Sequence, residues 1–521
     1  MRKQWSVTTA QRWFPAALLF VGAALLSGIT MLDGIQPNDE GLMLQAASRI
    51  ADGQVPYGDF WWFYPPGQPY LLAGLWELLG PSLLWWRVLR VLCDAGVAVL
   101  VWTLALRGGA SPRVALGAWL VAALAMAYPT GPHPFPPTLV MALGALVLLE
   151  RRPALAGALA GLAAVWRLEF AAYLWLGALL AYGLRPGGWR RPALTFTGAA
   201  LGVAALLYLP VVAPAGLGDS FDLLVRYPLE DFSDYQSLPF PIDYDGPLNT
   251  GSIGGFFGDS AEPLLLFYLP LVLVVGLVGS LAALGLRFER ERWWELAAAV
   301  FAVGTAHYLF TRPDVFHTAP LAVMVAVLGA WAIGSVGLPG RRRLGLAAAG
   351  LAGLALVYAA VEGLDRRWLE LRADHEGLAL AVADGVRVRA GRADSLEHAV
   401  AAVRERVRPG DPIYVATRRS DLVTSGDPLF YVLAGRPNPT RYDIQAPGVI
   451  TSAPVQREIV RDLERTRPRA LVRFTSAVTT EPEPNRAGES SGVSVLDDYI
   501  ERAYRPVERA GPYLVSVRRT P

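Results

Sequence analysis

Lysine is almost missing from this 521-residue chain. Lys3 is the only one, so nearly all of the 47 basic residues are arginine. Any cationic chemistry away from the N-terminus must therefore use arginine or histidine, and histidine is itself limited to five positions. Cysteine is as scarce: Cys93 stands alone in an apolar stretch, so no internal disulfide can form. No HExxH or CxxC spacing exists to hold zinc. Charged residues make up 18% of the chain against 53% apolar ones, a balance unlike a soluble globular protein and like a polytopic membrane protein. A net charge of +2 gives no reason to expect a nucleic-acid partner. Gly-rich phosphate loops and solenoid repeats are also missing. The dominance of arginine, with abundant Ala, Gly and Pro, points to a GC-rich bacterial genome.

What the chain does have is apolar runs. They fall near 14–32, 82–106, 114–128, 137–149, 154–166, 168–184, 193–214, 264–286, 294–310, 318–336 and 344–363, about eleven transmembrane helices. The start of the chain has the charge of a signal peptide but no small-residue cleavage site, so it reads as a retained first helix. Arginine concentrates in alternate connections ("RGGASPR", "ERRP", "RPGGWRR", "RFERERWW", "GRRR"), which the positive-inside rule assigns to the cytoplasm. The N-terminus is then cytoplasmic, and the first loop (33–81), the loop 215–262 and the C-terminal third lie outside. At about 1.5 Å per residue, runs of 13 to 15 residues reach only about 20 Å, short of a hydrocarbon core of about 30 Å. The pairs 114–149 and 154–184 therefore read as hairpins whose outer turns line a sunken, outward-opening vestibule.

Residues 364–521 change character. "DPIYVAT" (411–417), "RALVRFT" (469–475) and "PYLVSVRR" (512–519) read as strands, and 394–407, 453–466 and 493–503 as amphipathic helices. Alternation of the two implies a small extracytoplasmic α/β domain after a membrane domain of residues 1–363. "TEPEPNRAGESSG" (480–492) reads as an exposed loop.

Polar residues beside apolar runs are the candidates for chemistry. In the first outer loop, Asn38 or Asp39 can cap an amphipathic helix from about 40 to 51, after which come the aromatic stretch "YGDFWWFY" and a second short helix opened by "PPG". Asp39 and Glu40 either face the centre of the bundle as functional acids or serve only as cap and first-turn carboxylate. Arg87, Arg90 and Asp94 share one helix face, which calls for an interior partner or an anionic ligand; an Arg90–Asp94 tie between helices is the simpler alternative. "WRLEF" places Arg167 and Glu169 at a sunken turn, where a local ion pair is the rival reading. "TRPDVFHTAP" gathers Arg312, Asp314 and His317 at another outer junction, a set able to bind phosphate oxygens. His133 is too isolated to interpret. The acids of 215–262 read as a mostly solvated face. A hard divalent cation held by Asp39, Glu40 and one of those acids is an alternative that the spacing leaves open.

The Asp-Glu pair after the first membrane helix, "A-x-R-I-A-D-G-x-x-P-Y-x-D-F" behind it, "YPPG" before a second interfacial helix and an arginine in the next helix together resemble the GT-C superfamily of polyprenyl-phosphate-sugar glycosyltransferases. The likeness is greatest to bacterial relatives of protein O-mannosyltransferases and aminoarabinose transferases, and strongest over residues 33–110. It implies a GT-C-like membrane fold in the cell inner membrane, a polyprenyl-phosphate sugar donor and a glycan, lipid or protein hydroxyl acceptor. It also implies Asp39 as the general base, Glu40 in support, and donor phosphate contacts from Arg312, His317, Arg167 or Arg87. Where some relatives carry a lysine before "PP" this chain has Tyr64, so arginine must take the phosphate. A transporter or flippase of a lipid-linked anion, or a cell-envelope scaffold, would use the same arginines without needing Asp39 as a base.

Overall fold

The computed structural model describes residues 9–128, 131, 134–285, 292–334, 342–444, 448–476 and 485–519. His133, most of the arginine-rich "RFERER" connection, the start of "GRRR" and the first part of the 480–492 loop lie outside the described residues.

Helix α1 (Thr9–Gly28) leads into the first loop, which carries α2 (Asp39–Ala51) and α3 (Gly67–Leu79). Then follow α4 (Leu84–Arg107), α5 (Pro112–Met126), α6 (Phe135–Leu148), α7 (Pro153–Ala164), α8 (Leu168–Leu184) and α9 (Arg190–Ala215). Short helices α10 (Leu217–Phe221), α11 (Ser233–Gln236) and α12 (Ile253–Gly255), interleaved with wider π-type turns, make up the next connecting segment. Four more helices complete the bundle: α13 (Ala261–Leu284), α14 (Glu295–Thr311), α15 (Ala319–Gly334) and α16 (Arg342–Arg372). Every apolar run of the sequence overlaps one of these helices. Four of the resulting spans, Leu84–Arg107, Arg190–Ala215, Ile253–Leu284 and Leu346–Arg372, are long and apolar enough to cross a membrane, and the remainder are shorter. The chain is a multi-pass membrane protein.

Small residues explain the closest helix pairs. In α7, Gly157 and Gly161 lie four apart on one face, and a Cβ on either would collide with a backbone carbonyl of α9, that of Phe196 or Ala200. Without a hydrophobic force between helices in lipid, such close backbone approach is what drives their association. Gly304 of α14 meets the Tyr173 ring of α8 in the same way.

The segment 215–262 is less simply solvated than its acids imply. Arg226 is paired with Asp222 and Glu230 on an exposed face, yet Leu217, Phe221, Leu229, Ile253 and Phe257 are exposed as well.

Helix α16 continues past position 363 to Arg372 before the sheet region begins. Strands β1 (His375–Gly377) and β2 (Arg387–Arg389) form a small antiparallel pair; β3 (Tyr414–Ala416), β4 (Ala470–Phe474), β5 (Tyr504–Ala510) and β6 (Tyr513–Arg518) form a sheet in the order β3-β4-β6-β5. Only β3 and β4 are parallel. Helices α17 (Arg392–Arg406), α18 (Leu429–Ala434), α19 (Ala453–Thr466) and α20 (Val495–Ala503) complete this region. β5 is absent from the sequence reading because "YRPVERA" has no apolar alternation. It is an edge strand, where Pro506 costs no ladder bond and a bulge follows it.

The first loop and the C-terminal region share one hydrophobic core, which joins Leu42, Phe60 and Trp62 to Val403, Leu429 and Ile459. The two are also sewn together by backbone: Gly34 N–H donates to the Arg387 carbonyl at 2.7 Å, Arg387 N–H to Leu32 at 2.7 Å, and Trp61 N–H to Arg441 at 2.7 Å. They therefore sit on the same side of the bundle.

Candidate active site

Helix α2 is held from both sides. Gly41 presses on the backbone of Leu429 so closely that a Cβ would overlap it, which accounts for the glycine of "DEG". At the other end Arg49 is buried. Its Nε lies 2.5 Å from Asp443 Oδ2, its Nη2 donates to the Thr440 carbonyl at 2.6 Å, and its guanidinium lies over the Phe60 ring. Asn438 also donates to Asp443, at 2.9 Å. The "R-I-A-D-G-x-x-P-Y-x-D-F" stretch is thus a brace. Asp59 accepts from Val55 N–H at 2.7 Å to close its own turn. Tyr57, in a left-handed conformation at φ 72°, donates its hydroxyl to the Tyr64 carbonyl at 2.8 Å.

Glu40 and Arg87 form a closed pair. Arg87 Nε meets Glu40 Oε1 at 2.7 Å and Nη2 meets Oε2 at 3.0 Å, while the remaining donors reach the carbonyls of Met31 at 2.9 Å and Gly34 at 2.7 Å. Both side chains are 0% exposed. Arg87, expected among the donor-binding residues, is here buried with its donors directed to Glu40, Met31 and Gly34. Glu40 is equally buried, and its pair with Arg87 ties α2 to α4. Arg90 and Asp94 take the simpler course, paired at 2.9 Å, with Ser27 donating to Asp94 at 2.7 Å and Arg90 to the carbonyls of Gly131 and Met126.

Asp39 faces elsewhere. It is half-buried at the first residue of α2, and it is not a cap; Asn38 does not cap the helix either, but donates to Asp39 Oδ1 at 3.0 Å. Burial pushes the Asp39 carboxyl above its ordinary value, against the Asn38 hydrogen bond and the fields of His317 and Arg312. Those two come from the α14–α15 junction. Arg312 Nε donates to Asp314 Oδ2 at 2.8 Å and its Nη1 reaches the Gln236 carbonyl and side chain at 3.0 Å. His317 Nδ1 lies 2.6 Å from Asp314 Oδ1. Burial pushes the Asp314 carboxyl up, but His317 and Arg312 together hold it below its ordinary value.

Tyr64 joins the set from the first loop. Burial pushes its hydroxyl well up, reinforced by the charge of Asp39 and opposed by that of Arg167. Arg167, in the turn between α7 and α8, is paired with Glu169 and lies 4.9 Å from the Tyr308 ring centroid; Tyr308 is 5.3 Å from the His317 ring. The first loop packs against part of that turn. Gly67, the glycine of "YPPG", donates its N–H to the Val165 carbonyl at 2.8 Å, and a Cβ there would strike both that oxygen and the Trp166 ring. The first loop thus lies against the α7–α8 turn and brings Tyr64 with it. Phe63, Tyr227 and Phe232 form an aromatic wall beside Tyr64, with ring centroids 4.1 to 5.4 Å apart along Tyr64–Phe63–Tyr227 and Phe63–Phe232.

No protein-family model matches the sequence, nor does any curated protein sequence. Structures do. ArnT from Cupriavidus metallidurans bound to undecaprenyl phosphate aligns over 98% of this chain and 98% of its own, with a TM-score of 0.58 at 13% identity. Its apo state aligns with a TM-score of 0.56, again at 13% identity and 98% of each chain. This chain has the GT-C fold. A more distant alignment, TM-score 0.43 and 14% identity over 88% of this chain and 68% of the other, is to the Archaeoglobus fulgidus oligosaccharyltransferase in complex with Zn and sulfate.

Within this GT-C fold, Asp39, Tyr64, Arg167, Glu169, Arg312, Asp314 and His317 come together from four separate segments, while Glu40 and Arg87 form a separate tie. Sequence reasoning missed Tyr308 and Gln236. Tyr308 lies in the last turn of α14, just before Arg312 leaves the helix, and its nearness in sequence to Arg312 is the one signal that could have found it. Gln236 carries no such signal. The cation site drawn from Asp39, Glu40 and an acid of 215–262 is not assembled, because Glu40 is turned into its pair with Arg87. Among the described residues no three His, Cys, Asp or Glu side chains are grouped as metal ligands.

Proposed function

We propose that this protein transfers a sugar from a polyprenyl-phosphate donor to a hydroxyl acceptor at the outer face of the cytoplasmic membrane, with inversion at C1 and with Asp39 as the general base. The reading is carried by a half-buried carboxylate at the start of α2, hydrogen-bonded by Asn38 and set near Arg312, His317 and Tyr64, with Arg167 on the Tyr64 side and with burial raising its pKa. The fold shared with ArnT bound to undecaprenyl phosphate supports the same class of donor.

The chemistry follows from that arrangement. A base works best when its pKa lies near the working pH, and a carboxyl raised from its usual range approaches that condition. Asp39 takes the proton of the acceptor hydroxyl as its oxygen attacks C1. The bond from C1 to the phosphate oxygen breaks on the opposite face, and polyprenyl phosphate departs with the electron pair. Negative charge grows on that phosphate, and Arg312, Arg167 and His317 stabilise it where it develops. Asp314 and Glu169 hold those side chains in place. Tyr64 fills the position that relatives give to lysine and bounds the donor pocket. Glycan, lipid and protein hydroxyls all fit as acceptor class. We place the N-terminus in the cytoplasm and the C-terminal α/β domain outside, with residues 1–363 as the catalytic membrane domain.

The test is Asp39→Asn in reconstituted vesicles given a polyprenyl-phosphate sugar. Transfer is lost while donor binding persists; undiminished turnover would overturn the assignment and favour a carrier of lipid-linked anions.

A further inference from the structure

A second concavity lies away from Asp39. It lies in the C-terminal domain, with a volume of about 750 Å³, at the carboxyl ends of the parallel strands β3 and β4 and beside α20. From the segment after β3 it runs past Arg473 of β4 to Leu514 and Ser516 of β6 and Pro506 of β5, and its volume falls in the range of small-molecule sites.

Its described walls carry four guanidinium groups and four carboxylates. Arg419 forks onto Asp421 at 2.9 and 2.6 Å, with Ser490 donating to the same carboxylate. Arg473 donates to Asp497 at 2.7 Å and to the Arg418 carbonyl at 2.8 Å, and Ser494 donates to Asp498 at 2.9 Å. These contacts fix the wall before any ligand arrives. Arg418 and Glu501 remain exposed at the rim, and Leu514 and Pro506 add an apolar strip.

Charge selects the ligand class. A polyanion would meet the carboxylates and a polycation the guanidinium groups, whereas a neutral chain of hydroxyls can donate to the first and accept from the second. Its C–H faces suit the apolar strip. An extended peptide would need free backbone partners. Here the carbonyls of Thr417 and Arg418 are taken by Arg473, and that of Asp421 by Ser491 N–H. Side chains are what this wall offers.

We propose that this cavity binds a neutral oligosaccharide. The loop that supplies Ser490 to this wall also reaches the segment beside Arg312: Arg486 lies 4.3 Å from the Tyr235 ring centroid, and the next residue, Gln236, accepts from Arg312. That the bound chain is the acceptor rests on the proposed transfer reaction; the binding itself does not.

The experiment uses the full-length protein in detergent micelles without donor, and saturation-transfer NMR titrations with maltotriose, mannotriose, trigalacturonate and a neutral hexapeptide. At least one neutral trisaccharide binds more tightly than the trigalacturonate and the peptide. Arg418→Ala and Glu501→Gln, both at exposed rim positions, each weaken it about tenfold, since each removes a charge-assisted hydrogen bond. Failure of both neutral sugars to saturate, equal or tighter binding of trigalacturonate or peptide, or affinities unmoved by both variants overturns the proposal. Asp39→Asn leaves this binding unchanged, so lost transfer with retained sugar binding, or the reverse, separates the two readings.

Discussion

Asp39 and Glu40 are neighbours in sequence and have opposite environments. A helix turns about 100° between successive residues, so two adjacent carboxylates cannot face the same partner. Glu40 points to α4, where Arg87 and a fully dry setting use both of its oxygens. Asp39 points toward the α14–α15 junction, where its hydrogen bond is a single amide from Asn38 and Arg312 and His317 lie near it. One acid has its bonding satisfied within the protein; the other retains capacity to act on something else. Carboxylate and arginine are common to both places, so residue type does not distinguish a tie from a reactive site. Saturation and exposure do.

The sharpest way to break this comparison is to neutralise each acid in turn. Asp39→Asn lowers the rate of sugar transfer by about 10²- to 10⁴-fold, the usual worth of a positioned general base, with the protein still folded and binding donor. Glu40→Gln acts in the other direction. It leaves Arg87 charged and buried with half its partner gone, at a cost of about 3–5 kcal/mol, read as a large fall in the thermal midpoint of the detergent-solubilised protein. Loss of transfer in Glu40→Gln with an unchanged midpoint would place Glu40 in the reaction and erase the distinction.

Much of this was legible in the chain itself, for a physical reason. Arg312, Asp314 and His317, and likewise Arg167 and Glu169, interrupt apolar runs, and polar side chains at the ends of membrane helices are conspicuous because they are costly there. The eleven apolar runs mark helices for the same reason. What stayed hidden depends on contacts distant in sequence. Arg87 carries the same signal as Arg312, and only the approach of α2 to α4 shows it to be paired. Tyr308 is inconspicuous in a helix full of aromatics. The brace between Arg49 and Asp443 spans nearly 400 positions, and no local pattern announces it. Gly41 and Gly67 look like ordinary turn glycines; their use is to let α2 and α3 touch Leu429 and Val165. The C-terminal strands were readable where both faces are buried, as in β4, and lost where the edge strand β5 is mostly exposed.

A smaller effect sharpens the cation side of the comparison. Arg312→Ala removes one of the charges facing Asp39 and frees Gln236, and it weakens donor binding about tenfold, as expected for one lost charge-assisted contact. Arg312→Lys restores only part of it, because an ammonium cannot reproduce the guanidinium fork shared between Asp314 and Gln236. The measurement is displacement of a labelled polyprenyl phosphate in micelles. An unaltered affinity in the alanine variant would remove Arg312 from the phosphate side.

The smallest effect separates the two acids by pH. Because burial raises the Asp39 pKa in the folded state, the native protein holds that proton more tightly than the unfolded chain does. Stability from this group is therefore fullest at low pH and is lost as pH rises from the ordinary carboxyl value through the raised one. Asp39→Asn does not titrate, so its thermal midpoint equals that of the wild type in acid and exceeds it by a growing margin as pH rises through that window, then levels off. Transfer by the wild type moves in the opposite sense: it falls as pH drops through the raised value and the base takes up its proton. A stabilised variant that has lost its activity is what a reactive acid held at some cost to the fold predicts. A margin that opens instead as pH falls would mean that Asp39 is held as a paired carboxylate like Glu40, and both acids would then belong to the scaffold.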